Sequence, residues 1–175
     1  MGTLVPALSK SAPSPILVVK KRLATAPRRV VVASDLTDTS HSALRLALDL
    51  FGPGCLTLFN AFGIPYRGLA GDEGELERTM RPAVMEECRA VLIEEAGAST
   101  AAQIEIVVEL GEPAPVLAKY VANHDIDLVV TGTYGHTGLM TYSWGARPWR
   151  SCPKCPVTYW WRAGKLSGTI DLEFS

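Results

Sequence analysis

The segment Gly132-Thr133-Tyr134-Gly135-His136-Thr137-Gly138-Leu139, followed by Gly145-Ala146-Arg147, has the residue types for holding an anion. Glycine carries no Cβ, so its backbone N–H can come close to a phosphate oxygen. No Gly-Lys-Ser/Thr follows, which excludes the Walker phosphate loop. The spacing also differs from the dinucleotide fingerprint, which follows the first strand. A second position, Asp35, ends the apolar run Val30-Val31-Val32-Ala33-Ser34. Alone, a Gly-rich stretch is most simply a solvated loop, and a strand-ending Asp a turn or cap carboxylate. The two make a site only if the fold brings both strand ends together.

Other residue types point less far. Cys152-Pro153-Lys154-Cys155 is a lone Cys-x2-Cys, whereas a structural zinc site takes about four ligands. Cys55 falls at the start of an expected strand and Cys88 on the apolar stripe of an expected helix, so all four read as ordinary thiols. His41, His124 and His136 show no ligand spacing, and His136 in the Gly segment reads first as a solvated loop histidine. No Ser-His-Asp or paired-carboxylate arrangement stands out, so no enzyme activity and no metal site is expected.

The elements that must position these residues follow from periodicity. Strands are expected over 15–20, 29–35, 56–62, 103–109, 127–131 and 156–161. One helix, capped by Thr39 or Ser40, carries Ala43, Leu44, Ala47, Leu50 and Phe51 at helical spacing and stops at Gly52. A second, from 75 to 96, repeats Leu76, Met80, Val84, Cys88 and Leu92 every fourth residue, with Pro82 inside and an acidic outer face. A third opens at Gly111-Glu112-Pro113, where proline suits the first turn. Residues 63–74 and 132–146 read as Gly-rich loops, and Pro148 and Pro153 weaken any helix over 147–155. Strands alternating with helices from residue 29 onward imply an open parallel sheet with helices on both faces, whose ligands bind beyond the carboxyl ends of the strands.

Gly132-x2-Gly135-x9-Gly145 resembles the phosphate-binding spacing of the universal stress protein family. Val30 to Asp35 is similar to that family's first strand, Gly111-Glu112-Pro113-Ala114 to its Gly-x-Pro-Ala helix start, Asp127 to Gly132 to its fourth strand, and Cys155-Pro156-Val157 to the entry of its last. The likeness covers 29–161, in order. It implies a Rossmann-like α/β fold with an open five-stranded parallel sheet, commonly a homodimer, and a non-catalytic stress-response module of which one branch binds ATP. By that resemblance Asp35 contacts the adenosine part with Ala33 and Ser34 beside it, and Ala61 lies near the adenine. Thr131, Gly132, Gly135, Gly145, Ala146 and Arg147 surround ribose and phosphates, with Mg²⁺ an optional companion. Two departures bear on this. Ala146 stands where the ATP-binding branch has a hydroxyl, and losing one hydrogen bond to a charged group costs about 1.5–3 kcal/mol, or roughly one to two decades in affinity. Arg147 replaces a small or apolar residue and can supply a counter-charge, in a segment about two residues shorter than usual. The alternative is a dimeric interaction module of the same fold whose ATP site has decayed. A nucleotide hydrolase ranks third.

The chain has 175 residues and a net charge of -1, which excludes a whole-chain electrostatic nucleic-acid binder. No apolar run nears the ~18 residues of a membrane span, and the reading is of a soluble, cytoplasmic protein. Charge is uneven. Of 17 basic residues, six (Lys10, Lys20, Lys21, Arg22, Arg28, Arg29) fall in the first thirty, which hold no acid; 11 remain against 18 acidic residues. The expected division is a basic leader over 1–28 with one strand, the domain over 29–161, and a polar tail over 162–175. Pro13-Ser14-Pro15-Ile16-Leu17-Val18-Val19 and the stretch from Pro153 to Trp160 share, with one gap, a Pro-x-Pro start and an apolar β-forming run. The leader therefore resembles the closing strand of a preceding tandem domain, although a chance β-rich linker would read the same. An apolar strand needs a partner, at an edge of its own sheet or on a second subunit. Trp144, Trp149, Trp160 and Trp161 crowd the C-terminal third, as core or as dimer interface. The expected partners are an adenine nucleotide and a second copy of the chain.

Overall fold

The computed structural model describes residues 16–19, 26–63, 73–133 and 157–162. The strands are β1 (Ile16–Val19), β2 (Val30–Ser34), β3 (Leu56–Phe62), β4 (Glu105–Leu110), β5 (Leu128–Thr133) and β6 (Val157–Arg162). The helices are α1 (Asp38–Phe51), α2 (Glu73–Ala96), the short α3 (Ala98–Ala101) and α4 (Pro113–Asn123). The sheet order is β1-β6-β5-β2-β3-β4.

β5-β2-β3-β4 form a parallel centre. β6 continues it in parallel beside β5, while β1 runs antiparallel outside β6. The open Rossmann-like α/β architecture is the one expected, but the sheet counts six strands where five were expected. The addition is the leader strand, which takes the edge of its own sheet.

Why these residues build this sheet is visible in β2. All five of its residues are buried, as a strand covered on both faces requires. Val30 and Val32 face α1 and α2 together with Leu44, Ala47, Leu58, Cys88 and Leu92. Val31 and Ala33 face α4, against Leu117 and Val121. Each fully buried aliphatic or aromatic side chain contributes about 1.5–3 kcal/mol, so the centre is held by two layers at once. The entry to β2 is pinned by Asp127: its Oδ2 accepts the N–H groups of Arg28 (2.9 Å) and Arg29 (3.1 Å), and its own N–H donates to the Arg29 carbonyl at 3.0 Å.

Boundaries differ where local chemistry overrides periodicity. α1 is capped by Thr37, extended at φ -97°, rather than by Thr39 or Ser40. Those two lie inside the first turn because the turn from β2 closes within three residues. Gly52 ends α1 as expected, at φ 72° with its N–H on the Leu48 carbonyl. Residues 102–104 turn out of α3, so β4 begins at Glu105. β5 runs on through Gly132 and Thr133, beyond the end at Thr131 that the apolar run predicts.

Candidate functional site

Parallel pairing sets the C-terminal ends of β2, β3 and β5 side by side. Ala33 pairs with Thr131, and Ser34 with Asn60. The expected site residues are thereby gathered at one edge of the sheet but divided between its faces. Ala33 and Ala61 join the layer under α4, and Thr131, two residues beyond Val129, shares that side. Ser34 and Gly132 turn toward the start of α1. Gly135, Gly145, Ala146 and Arg147 lie outside the described residues.

The turn between β2 and α1 is a closed hydrogen-bond system. Ser34 is 1% exposed; its Oγ donates to Ser40 Oγ at 2.9 Å and accepts the Leu36 N–H at 3.1 Å. Ser40 Oγ donates to the Thr37 carbonyl at 2.8 Å and accepts the Thr37 N–H at 3.1 Å. Thr37 also gives its N–H (3.2 Å) and its hydroxyl (2.6 Å) to Asp35 Oδ1. A hydroxyl has one hydrogen, so in the 2.9 Å contact between Thr37 Oγ1 and Thr39 Oγ1 the donor is Thr39. Leu36, at φ 61°, takes the left-handed region that costs a non-glycine residue about 1–2 kcal/mol. Such strain persists where neighbours over-determine it, and here the side chains of Ser34, Asp35, Thr37 and Ser40 do.

Two consequences follow for ligand chemistry. The Ser34 hydroxyl is committed within the protein, so what it offers a ligand is position rather than a free hydrogen. Asp35 is half-buried, with Oδ1 held by Thr37, and among the described residues nothing donates to Oδ2. That leaves a fixed carboxylate oxygen beside the first turn of α1, where the Ser40 N–H is already taken by the Thr37 carbonyl at 2.9 Å.

Gly132 explains how closely β5 approaches this turn. A Cβ there would lie 2.6 Å from the Thr39 carbonyl oxygen and 3.0 Å from the Ser40 nitrogen. Both obstacles are backbone, so only glycine fits. β5 is thus pressed at Gly132 against the mouth of α1. Thr131 is buried, and its hydroxyl donates to the Gly132 carbonyl at 3.3 Å.

Asn60 and Ser40 belong to this arrangement although the sequence did not single them out as site residues. Asn60 is 5% exposed and its side-chain N–H donates to the Ser34 carbonyl at 3.0 Å, tying the end of β3 to that of β2. A polar residue within Leu56-Thr57-Leu58-Phe59-Asn60 was the available signal, since a buried polar side chain demands a partner. The histidines stand apart. His41 Nδ1 lies 3.3 Å from Glu95 Oε1, whose other oxygen binds Arg45 at 2.8 Å. His124 stacks on Tyr120 at 4.0 Å, and His136 lies outside the described residues, as do Cys152 and Cys155. Cys55 and Cys88 are free thiols.

The universal stress protein family matches residues 27–149 of the chain. No curated protein matches it in sequence. Among solved structures it is similar to universal stress protein UspA from Lactobacillus plantarum, at 19% identity and a TM-score of 0.56, covering 79% of this chain and 99% of that one. A universal stress protein from Archaeoglobus fulgidus matches at 17% identity and a TM-score of 0.57, over 94% of this chain and 55% of its own. A universal stress protein in complex with cAMP matches at 18% identity and a TM-score of 0.50, over 80% of this chain and 99% of its own.

Proposed function

The chain belongs to the universal stress protein family, and from that premise we propose that it is a non-catalytic stress-response module that binds an adenine nucleotide, ATP with or without Mg²⁺, at the carboxyl ends of β2, β3 and β5. The observation that carries this reading is Asp35: one carboxylate oxygen is clamped by Thr37, and the other is left without a described donor where the strand ends converge. A carboxylate so fixed is suited to accept hydrogen bonds from ribose hydroxyls. Half-buried Ala61, on the α4 side beside the buried Ala33, offers a small side chain to a flat base, and Gly132, which precedes Gly135, Gly145, Ala146 and Arg147 in sequence, lies against the α1 N-terminus, where anions are favoured. The structural neighbour solved with cAMP supports adenine-nucleotide chemistry on this fold. Association of two copies in the cytoplasm belongs to the same reading.

The test has two stages. Purified protein is denatured and the supernatant assayed for adenine nucleotide; the protein is then titrated with ATP and Mg²⁺ in a thermal-shift assay. Asp35→Ala is expected to weaken binding at least tenfold. Absence of released nucleotide, together with no shift at millimolar ATP or cAMP, would overturn the proposal. That outcome would favour an interaction module with a decayed site, the reading that Ala146 supports by standing where a phosphate-binding hydroxyl is expected.

A further inference from the structure

β6 reads Val157-Thr158-Tyr159-Trp160-Trp161-Arg162, a β-branched and aromatic strand with a single charge at its end. Exposed as an edge, such a strand is a template for pairing with another chain. β1 covers it, and three observations bear on what β1 stands for. β1–β6 is the only antiparallel pair in the described sheet. The two strands are alike, each an apolar run entered from a proline, Pro15 and Pro156. Counted from those prolines, the register is symmetric: the first of β1 faces the fourth of β6 (Ile16 and Trp160), the second the third (Leu17 and Tyr159), the third the second (Val18 and Thr158), and the last the first (Val19 and Val157).

An antiparallel pair of like strands has two-fold symmetry, and two identical subunits meeting edge to edge use that same arrangement. Two copies of β6 in this register would set Val157 opposite Trp160 and Thr158 opposite Tyr159 across a dyad. We infer that β1 is an intramolecular stand-in for the β6 strand of a second copy, capping in cis an edge that is otherwise self-complementary. The inference is independent of the nucleotide reading. It refines the expected dimer, because a second copy enters at this edge only where β1 leaves.

The connection favours cis closure. Val19, Val157, Leu128 and Val30 share one row across four neighbouring strands. The linker from Val19 to Val30 therefore crosses three strand spacings, about 14 Å, and its residues can reach roughly 36 Å. A strand on a linker of this length competes at an effective concentration on the order of millimolar, against micromolar free copies. The match to the Archaeoglobus chain, just over half of that chain's length, reaches beyond residues 27–149 at both ends here. The region around the leader therefore has a counterpart in a longer chain of the same fold.

The full-length chain carries the test. In L17P/V18P one of two consecutive N–H groups must point at β6, so pairing is broken whichever it is. Sedimentation equilibrium is expected to show self-association at least tenfold tighter than in the unaltered chain. A second variant, L17C/Y159C with Cys152 and Cys155 replaced by serine, places thiols on opposed residues. Oxidation is expected to give a covalent monomer in denaturing gels, whose self-association is no tighter than that of the unaltered chain. A folded proline variant that associates no more tightly would overturn the proposal. So would a covalent dimer from the oxidised cysteine variant, which would mean that β1 is exchanged between copies. If the proline variant fails to fold, the cysteine variant alone decides.

Discussion

In the middle of the sheet Val30 to Ser34 are all buried, Leu58 and Phe59 beside them are fully enclosed, and Gly132 is pressed against backbone. At the margins the two outer strands are guarded differently. β4 exposes Glu105 and half-exposes Glu109, so charge discourages a further strand. β6 has almost no charge and is guarded by β1 instead. The centre is specified by volume, where a methyl group has nowhere to go. The margins are specified by which strand is allowed to pair. One fold can therefore keep a rigid binding edge while varying its associations, since the two properties reside in different strands.

Gly132→Ala should break the centre hardest. The added methyl meets the Thr39 carbonyl, and forcing backbone apart in a packed region costs about 1–3 kcal/mol or somewhat more. Urea denaturation is expected to show that loss together with weakened nucleotide binding. A loss below ~0.5 kcal/mol, the usual surface value, would mean that β5 and α1 are looser than described. Next comes pH. Burial, and secondarily the neighbouring Glu87, push the Cys88 thiol up to about 11 from 9.0. The folded state therefore holds its proton longer than the unfolded one. Stability from this residue is full below about 9 and is lost as pH rises toward 11. Linkage sets the loss at about 2 kcal/mol near pH 10.5, read as a steeper alkaline decline in the unaltered chain than in Cys88→Ala. Equal slopes would show that the core beneath α2 admits water. The smallest effect belongs to the margin: Ile93, 45% exposed on α2, should change stability by no more than about 0.5 kcal/mol on substitution by serine. A larger loss would show that something covers it, and the distinction between centre and margin would narrow.

Much of this was legible. The apolar runs of β2 and β5, the fourfold stripe through Cys88 and Leu92, the proline opening α4 and the stop at Gly52 each follow from local rules, and the structure places them as expected. Asp35 and Gly132 stood out because their types are unusual at strand ends. Asn60 and Ser40 did not, because a polar residue declares itself only through the partner it is buried with, and those partners come from other elements. The cap of α1 falls on Thr37 rather than on Thr39 or Ser40 for a related reason. Thr37, Thr39 and Ser40 are chemically equivalent candidates, and only the path of the turn decides which becomes extended.

The residues alone determined the alternation of strands and helices, the two buried faces and the identity of the strand-end groups, since periodicity and side-chain chemistry are local properties. Tertiary structure decided two things that no local property encodes. It set Gly132 of β5 against the Thr39 carbonyl at the start of α1, turning a glycine into a requirement. It also laid β1 on β6 in antiparallel register rather than leaving both edges to other molecules. Pairing between distant segments depends on which edges remain open once the centre has formed, and that is settled only when the whole sheet is assembled.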